Sequence, residues 1–161
     1  MRVNARIYVS APASAVWEVI SDPTRQLSYM SGITRWEVEG DQPAGLGARY
    51  RMLLRVGSAE VGGLIELVEF AEPCDIAWTS VTGIDQRGRW RLREGAEGRT
   101  KVELRLAYGV AGSGLGGWIA EHVAAPTVTA HLRRTVQQLG RMVEAEQVRA
   151  RAAARRTAQR V

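Results

Sequence analysis

Two histidines, a glycine-rich run and one cysteine are the residues of this 161-residue chain whose type and spacing could do chemistry. His122 and His131 stand nine residues apart in one helical stretch, which at about 100° per residue turns them to opposite faces, so they cannot share a metal ion. His122 falls on the apolar stripe of that helix, beside Glu121. A neutral imidazole there suits a general acid or base, or an orienting hydrogen bond. His131 falls on the other face and reads as a surface residue. Residues 112–117, GSGLGG, match G-x-G-x-x-G between a strand and a helix, the setting of a dinucleotide fingerprint. That chemistry needs a following parallel strand and an acid about 20 residues on. Here a helix fills the region, with no Asp or Glu between Glu121 and Glu144, so the run reads as a hinge. The lone Cys74, in EPCD, excludes an internal disulfide or a CxxC metal site and reads as a partly buried structural thiol. No cofactor or metal is expected.

The elements that position these residues follow from hydrophobic periodicity. Val3, Ala5, Ile7 and Val9 alternate with polar residues, the period of a half-buried strand. Pro12 suits a first helical turn capped by Ser10 or Ala11, Val16 and Ile20 lay an apolar stripe, and Asp22-Pro23 ends the helix. A second short helix is expected over Thr24–Tyr29. Six strands follow, near 33–40, 46–56, 59–70, 75–83, 84–94 and 99–110, divided by turn residues. In the fifth of these, Ile84, Gln86, Gly88, Trp90 and Leu92 share one face, and Arg87, Arg89, Arg91 and Arg93 the other. The sixth repeats the pattern with Val102, Leu104, Leu106 and Tyr108, and EGAEGR joins the pair as a hairpin. Matched faces of this kind belong to an antiparallel sheet with one solvated side, whose arginines pair with acids such as Glu94, Glu97 and Glu103. Val143, Leu139, Val136 and Leu132 then mark a long helix from about Leu115 to Glu146, interrupted by Pro126 and about 45 Å long.

Composition bounds what such an assembly does. Hydrophobic residues are 45% and charged residues 24% of the chain, ordinary values for one globular domain, here residues 1–146. No apolar run approaches the length that spans a bilayer, and the polar start MRVNARIYV does not resemble a signal peptide, so a cytoplasmic protein is expected. The net charge of +5 belongs to the tail, residues 147–161, which holds five arginines and no acid. The rest of the chain balances 17 basic against 17 acidic groups, which argues against a nucleic-acid-binding face. The tail reads as a frayed helix end, able to make weak contact with an anionic membrane surface. An oligomer is compatible with this sequence.

The stretches IYVSAPASAVWEVISDP, WEVEGD with GLGARY, VEFAEPCDIAW and GRTKVELRLAY, together with the long helix and its proline, resemble the START and polyketide cyclase/dehydrase superfamily, which includes the birch pollen allergen. The resemblance covers about residues 3–146. It implies an α+β helix-grip fold, in which a seven-stranded curved antiparallel sheet wraps around a long C-terminal helix, with two short helices between strands 1 and 2. It also implies a deep, mostly apolar cavity of roughly 300 to 1,000 Å³ between sheet and helix. Strand parity assigns Tyr50, Met52, Leu54, Trp78, Ser80, Gln86, Trp90, Leu104, Leu106 and Tyr108 to the interior, and Trp118 and His122 face it from the helix. The members include carriers of apolar molecules and enzymes, and two functions stand open on fold alone. One is a carrier or sequestering protein for a lipid, polyketide or isoprenoid. The other is a cyclase/dehydrase-type enzyme in which His122, Tyr50 or Tyr108 moves protons during an aldol-type ring closure of a poly-keto or aromatic substrate.

Overall fold

The computed structural model describes residues 1–109 and 115–160, with side chains described over 1–109 and 124–160. Seven strands, β1 (Arg2–Val9), β2 (Ile33–Glu39), β3 (Arg49–Val56), β4 (Ala59–Ala71), β5 (Asp75–Gly83), β6 (Asp85–Glu94) and β7 (Thr100–Gly109), form one sheet. Their order is β1-β7-β6-β5-β4-β3-β2 and every pairing is antiparallel. Because β1 and β2 are opposite edges, the chain between them must cross the whole width of the sheet. Helix α1 (Ala13–Ile20), a 3-10 turn at Pro23–Arg25 and helix α2 (Gln26–Tyr29) make that crossing. Helix α3 (Leu115–Ala158) closes the same face, packing chiefly on β1 and touching α1, α2, β3 and β7. This is the expected helix-grip arrangement. Among the described residues, no helix is long and apolar enough to cross a membrane.

The alternation read from the sequence is the alternation of burial. On β6, Gln86, Gly88, Trp90 and Leu92 are buried and pair in register with Tyr108, Leu106, Leu104 and Val102 of β7. The arginines of β6 lie on the outer face, yet their main partner differs from the expected acids. Asp75, only 8% exposed, gathers Arg93 at 2.9 Å, Arg91 at 3.4 Å and Arg89 at 3.7 Å, and Arg89 also pairs with Glu69. Glu103 pairs with Arg105 at 3.0 Å, and these hydrogen bonds hold its carboxyl below the usual carboxylate range.

Two helix ends depart from the sequence reading. Helix α1 begins at Ala13, and Pro12 itself is the cap residue, with extended geometry and no side chain to offer. The cap comes from afar: the Ala13 N–H donates to Glu94 Oε1 at 2.9 Å, while upstream of the helix the Ser10 N–H donates to Glu144 Oε1 at 2.8 Å. Asp22 then starts the 3-10 turn, accepting from Thr24 Oγ1 at 2.7 Å and Thr24 N at 2.9 Å. Those two bonds hold its carboxyl below its ordinary value. Helix α3 passes through Pro126 and continues to Ala158, well beyond Glu146. The segment expected to fray is rich in Ala and Arg, both strong helix formers, and it stays helical with most of its side chains exposed.

The core joins the two layers. Val16, Val19 and Ile20 of α1 and Val128, Leu132, Val136, Leu139 and Val143 of α3 are buried against the sheet, as the stripes required. Trp17 meets Phe70 edge-on with ring centroids 4.9 Å apart. Thr100 is fully buried at the start of β7 and donates its hydroxyl to the Ala11 carbonyl at 2.7 Å, which fixes the corner between β1 and α1. Thr100→Val keeps the shape and orphans that carbonyl, so it is expected to cost about 1–2 kcal/mol in urea denaturation. An unchanged midpoint would mean that the carbonyl has another donor.

Candidate functional site

Between the sheet and α3 the side chains leave space, and they divide it. The outer chamber has a volume of about 220 Å³. Met52, Leu54 and Val56 of β3, Val61 and Gly62 of β4, Leu106 and Tyr108 of β7 and Ala124 and Val128 of α3 border it, with Ala59, Ile84 and Gln86. Among the described residues its lining is apolar except for the Gln86 amide and the Tyr108 hydroxyl. A second, inner chamber of about 50 Å³ lies against Ser31, Trp36, Trp78, Leu104, His131 and Thr135. Met52, Leu54, Gln86 and Leu106 border both, so these four form the partition. Beyond it, Tyr50, Trp78, Trp90 and Gln26 leave only about 20 Å³, room for roughly one water. The single deep cavity expected from the resemblance is therefore subdivided, because tryptophans and methionines fill its inner half.

Strand parity located most of the lining. Met52, Leu54, Gln86, Leu106 and Tyr108 border the outer chamber, while Trp78 and Leu104 border the inner one and Tyr50 and Trp90 lie deepest. The Tyr50 hydroxyl donates to the Pro43 carbonyl at 2.8 Å, and burial raises its pKa above the ordinary tyrosine value. Ser80 borders none of these chambers. A bulge shifts the pairing of β5 from Leu64 with Thr82 to Ile65 with Ser80, and the Ser80 hydroxyl turns to Asp85 Oδ1 at 3.4 Å and the Gln86 N–H at 3.2 Å. The side chains of Trp118 and His122 lie outside the described residues. So do residues 112–114 of the glycine-rich run, while 115–117 open α3.

His131 is a correction. Expected at the surface, it is half-buried against the inner chamber, with its ring so close to Gly32 that a Cβ there would lie 2.6 Å from Cε1. Its Nε2 lies 3.1 Å from the Arg55 carbonyl, which can only accept, so Nε2 carries the proton. Nδ1 then accepts from the Ser31 hydroxyl, also at 3.1 Å. The Ser31 N–H donates to Thr135 Oγ1 at 2.9 Å. The loop before β2 is thus tied to α3 from a side that the apolar stripe does not mark, which is why periodicity missed it.

Two polar groups stand out as unserved. The indole Nε1 atoms of Trp36 and Trp78 are buried without a hydrogen-bond partner among the described residues. Each such donor costs about 1–3 kcal/mol while it stays unsatisfied. Neither ring can readily turn to find an acceptor. Trp36 stacks on Tyr50 with centroids 5.0 Å apart, and Trp78 lies over Gly88, where a Cβ would come within 1.9 Å of Cζ2. Among the described residues Gln86 Nε2 reaches only the weak acceptor Met52 Sδ at 3.6 Å.

A wider depression of about 680 Å³ lies on the outer face, bordered by Arg2, Arg87, Arg89 and Arg105. Arg89 and Arg105 are already paired with acids, and the hollow is an open surface rather than an enclosure. The chambers between sheet and helix are the better enclosed site.

Comparison with known proteins agrees with this geometry. The family model described as polyketide cyclase/dehydrase and lipid transport matches residues 1–144. No curated protein matches the sequence. Among solved structures, TTHA0849 of Thermus thermophilus superposes with a TM-score of 0.77 at 21% identity, covering 91% of this chain and 99% of that one. The Zhui aromatase/cyclase of Streptomyces sp. R1128 superposes with a TM-score of 0.75 at 19% identity, covering 89% and 93%. At these identities the likeness is one of fold.

Proposed function

The chain belongs to the polyketide cyclase/dehydrase and lipid transport family, and from that membership we propose that it holds a small hydrophobic molecule, a lipid, polyketide or isoprenoid, in the chambered cavity as a carrier or sequestering protein. Family membership supports a ligand-binding or polyketide-processing role. The observation that carries the finer reading is the outer chamber, a space of about 220 Å³ bordered, among the described residues, almost wholly by apolar side chains. Transfer of apolar surface from water into such a lining contributes roughly 25 cal/mol per Å². The volume lies below the roughly 300 Å³ of drug-sized pockets, so a guest of one or two rings, or a short chain, fits best.

Ala124 faces this space from α3. Ala124→Trp is expected to fill the chamber and weaken binding of the apolar probe 2-isopropenylnaphthalene by roughly tenfold or more, about 1.4 kcal/mol, with the thermal midpoint held or raised. Tryptophan fluorescence titration reads the first and calorimetry the second. Binding undiminished in the filled variant would place the probe elsewhere and sink the reading.

A second reading, a cyclase/dehydrase-type enzyme acting on a poly-keto or aromatic substrate, is supported by the family's description and by the aromatase/cyclase among the neighbours. His122, Tyr50 or Tyr108 would move the protons. The Tyr50 hydroxyl is committed to Pro43; His122 and Tyr108 are the groups to test. A carrier returns a poly-keto compound unchanged after incubation. An enzyme converts it and loses that conversion in His122→Ala.

A further inference from the structure

Granted the cavity as the binding site proposed above, we infer that its guest is an amphiphile that enters oxygen first, with an acceptor oxygen taken up by the indole N–H groups of Trp36 and Trp78. Both indoles border the inner chamber, and both Nε1 atoms are buried and unpartnered among the described residues. Folded proteins satisfy the large majority of buried polar atoms, so two orphan donors on one small enclosure call for a shared acceptor. Among the described residues no acceptor reaches them, and the stacking of Trp36 on Tyr50 and the seating of Trp78 on Gly88 hold both rings in place. The Gln86 amide on the partition brings a donor, Nε2, whose partner is the Met52 thioether, and its acceptor oxygen takes no hydrogen bond from either indole.

The two chambers differ in kind. The outer one offers Leu54, Val61, Leu106 and Val128 to a hydrocarbon body. The inner one, about 50 Å³, holds a carbonyl-sized group and little more, and the two indoles border it. An apolar molecule without oxygen can occupy the first and leaves the second unserved. A ketone or carboxylate on the leading end serves both at once, which fixes the orientation of the guest as well as its class.

The test is a matched pair of probes on the full chain: 2-acetylnaphthalene, and its isostere 2-isopropenylnaphthalene, in which CH2 replaces the oxygen. The ketone is expected to bind about tenfold tighter, equivalent to about 1.4 kcal/mol. It is also expected to move two indole N–H resonances in the ¹H–¹⁵N spectrum, assigned through Trp36→Phe and Trp78→Phe, while the alkene leaves them in place. Equal affinity for the two probes would overturn oxygen-first entry, with water serving the donors instead, and would leave the apolar binding site standing. A ketone preference without movement of those two resonances would overturn the assignment to Trp36 and Trp78. Failure of both probes to bind would overturn the binding site itself. The wild-type spectra decide the matter even where a tryptophan variant does not fold.

Discussion

Gly62→Ala is expected to be among the most damaging single methyl groups that can be added to this protein, lowering its stability by about 3 kcal/mol or more. A Cβ at Gly62 would lie 2.1 Å from the Met52 carbonyl oxygen, at Gly63 2.1 Å from that of Thr82, and at Gly83 2.1 Å from that of Gly62. These are main-chain atoms of hydrogen-bonded neighbours, in the ladder where Gly62 faces Leu53 and Gly63 faces both Met52 and Gly83. Neither strand can yield by turning a side chain away. The glycines let β3, β4 and β5 approach and bend at the rim of the outer chamber, which Gly62 borders. Apolar probe binding should therefore fall with stability. Gly95→Ala is the control: its nearest neighbour is the Arg99 oxygen at 3.8 Å and its φ of −118° is open to any residue. Its effect should stay within about 0.5 kcal/mol. Equal urea midpoints for the two variants would show that the strands have room to spread.

Leu139→Ala should cost about 2–5 kcal/mol, the range for a buried leucine truncated where the surroundings cannot collapse. Leu139 has no exposed surface, and it sits in the middle of the stripe by which α3 holds the sheet. Next to it, a Cβ on Gly140 would already touch Ile7 of β1 at 3.3 Å, so helix and strand are in close contact and the gap cannot be closed by a small shift. Val148→Ala, at a residue 64% exposed on the same helix, should change little. A loss below about 1 kcal/mol for Leu139→Ala in denaturant titrations would mean that α3 is anchored elsewhere.

Most of the frame was legible because it is written in strong periodicities. The expected bounds of β5 match the observed strand, and those of β2, β4, β6 and β7 differ by about a residue at either end. The inner face of β6 could be read residue by residue, since Gln86, Gly88, Trp90 and Leu92 alternate with four arginines and the sheet has one wet side. What was illegible depends on tertiary partners. The bulge at Val81 breaks parity, so Ser80 was placed in the lining although its hydroxyl serves the turn. His131 lies off the apolar stripe and is drawn inward by Ser31 and Arg55, which a helical wheel does not contain. Trp36 alternates with Arg35 and Glu37 on β2, a signal that was present, but its importance comes from the missing partner of its N–H rather than from its position. The size of the cavity was equally out of reach, since it depends on which rotamers the large side chains adopt.

Met52, Leu54, Gln86 and Leu106 border both chambers and form the partition between them. Its width is a matter of torsion angles, and the unbranched thioether of Met52 is the most adaptable member. The length of molecule this protein accommodates is accordingly set by a few rotatable bonds. It can drift from one descendant sequence to another while the register of every strand stays the same.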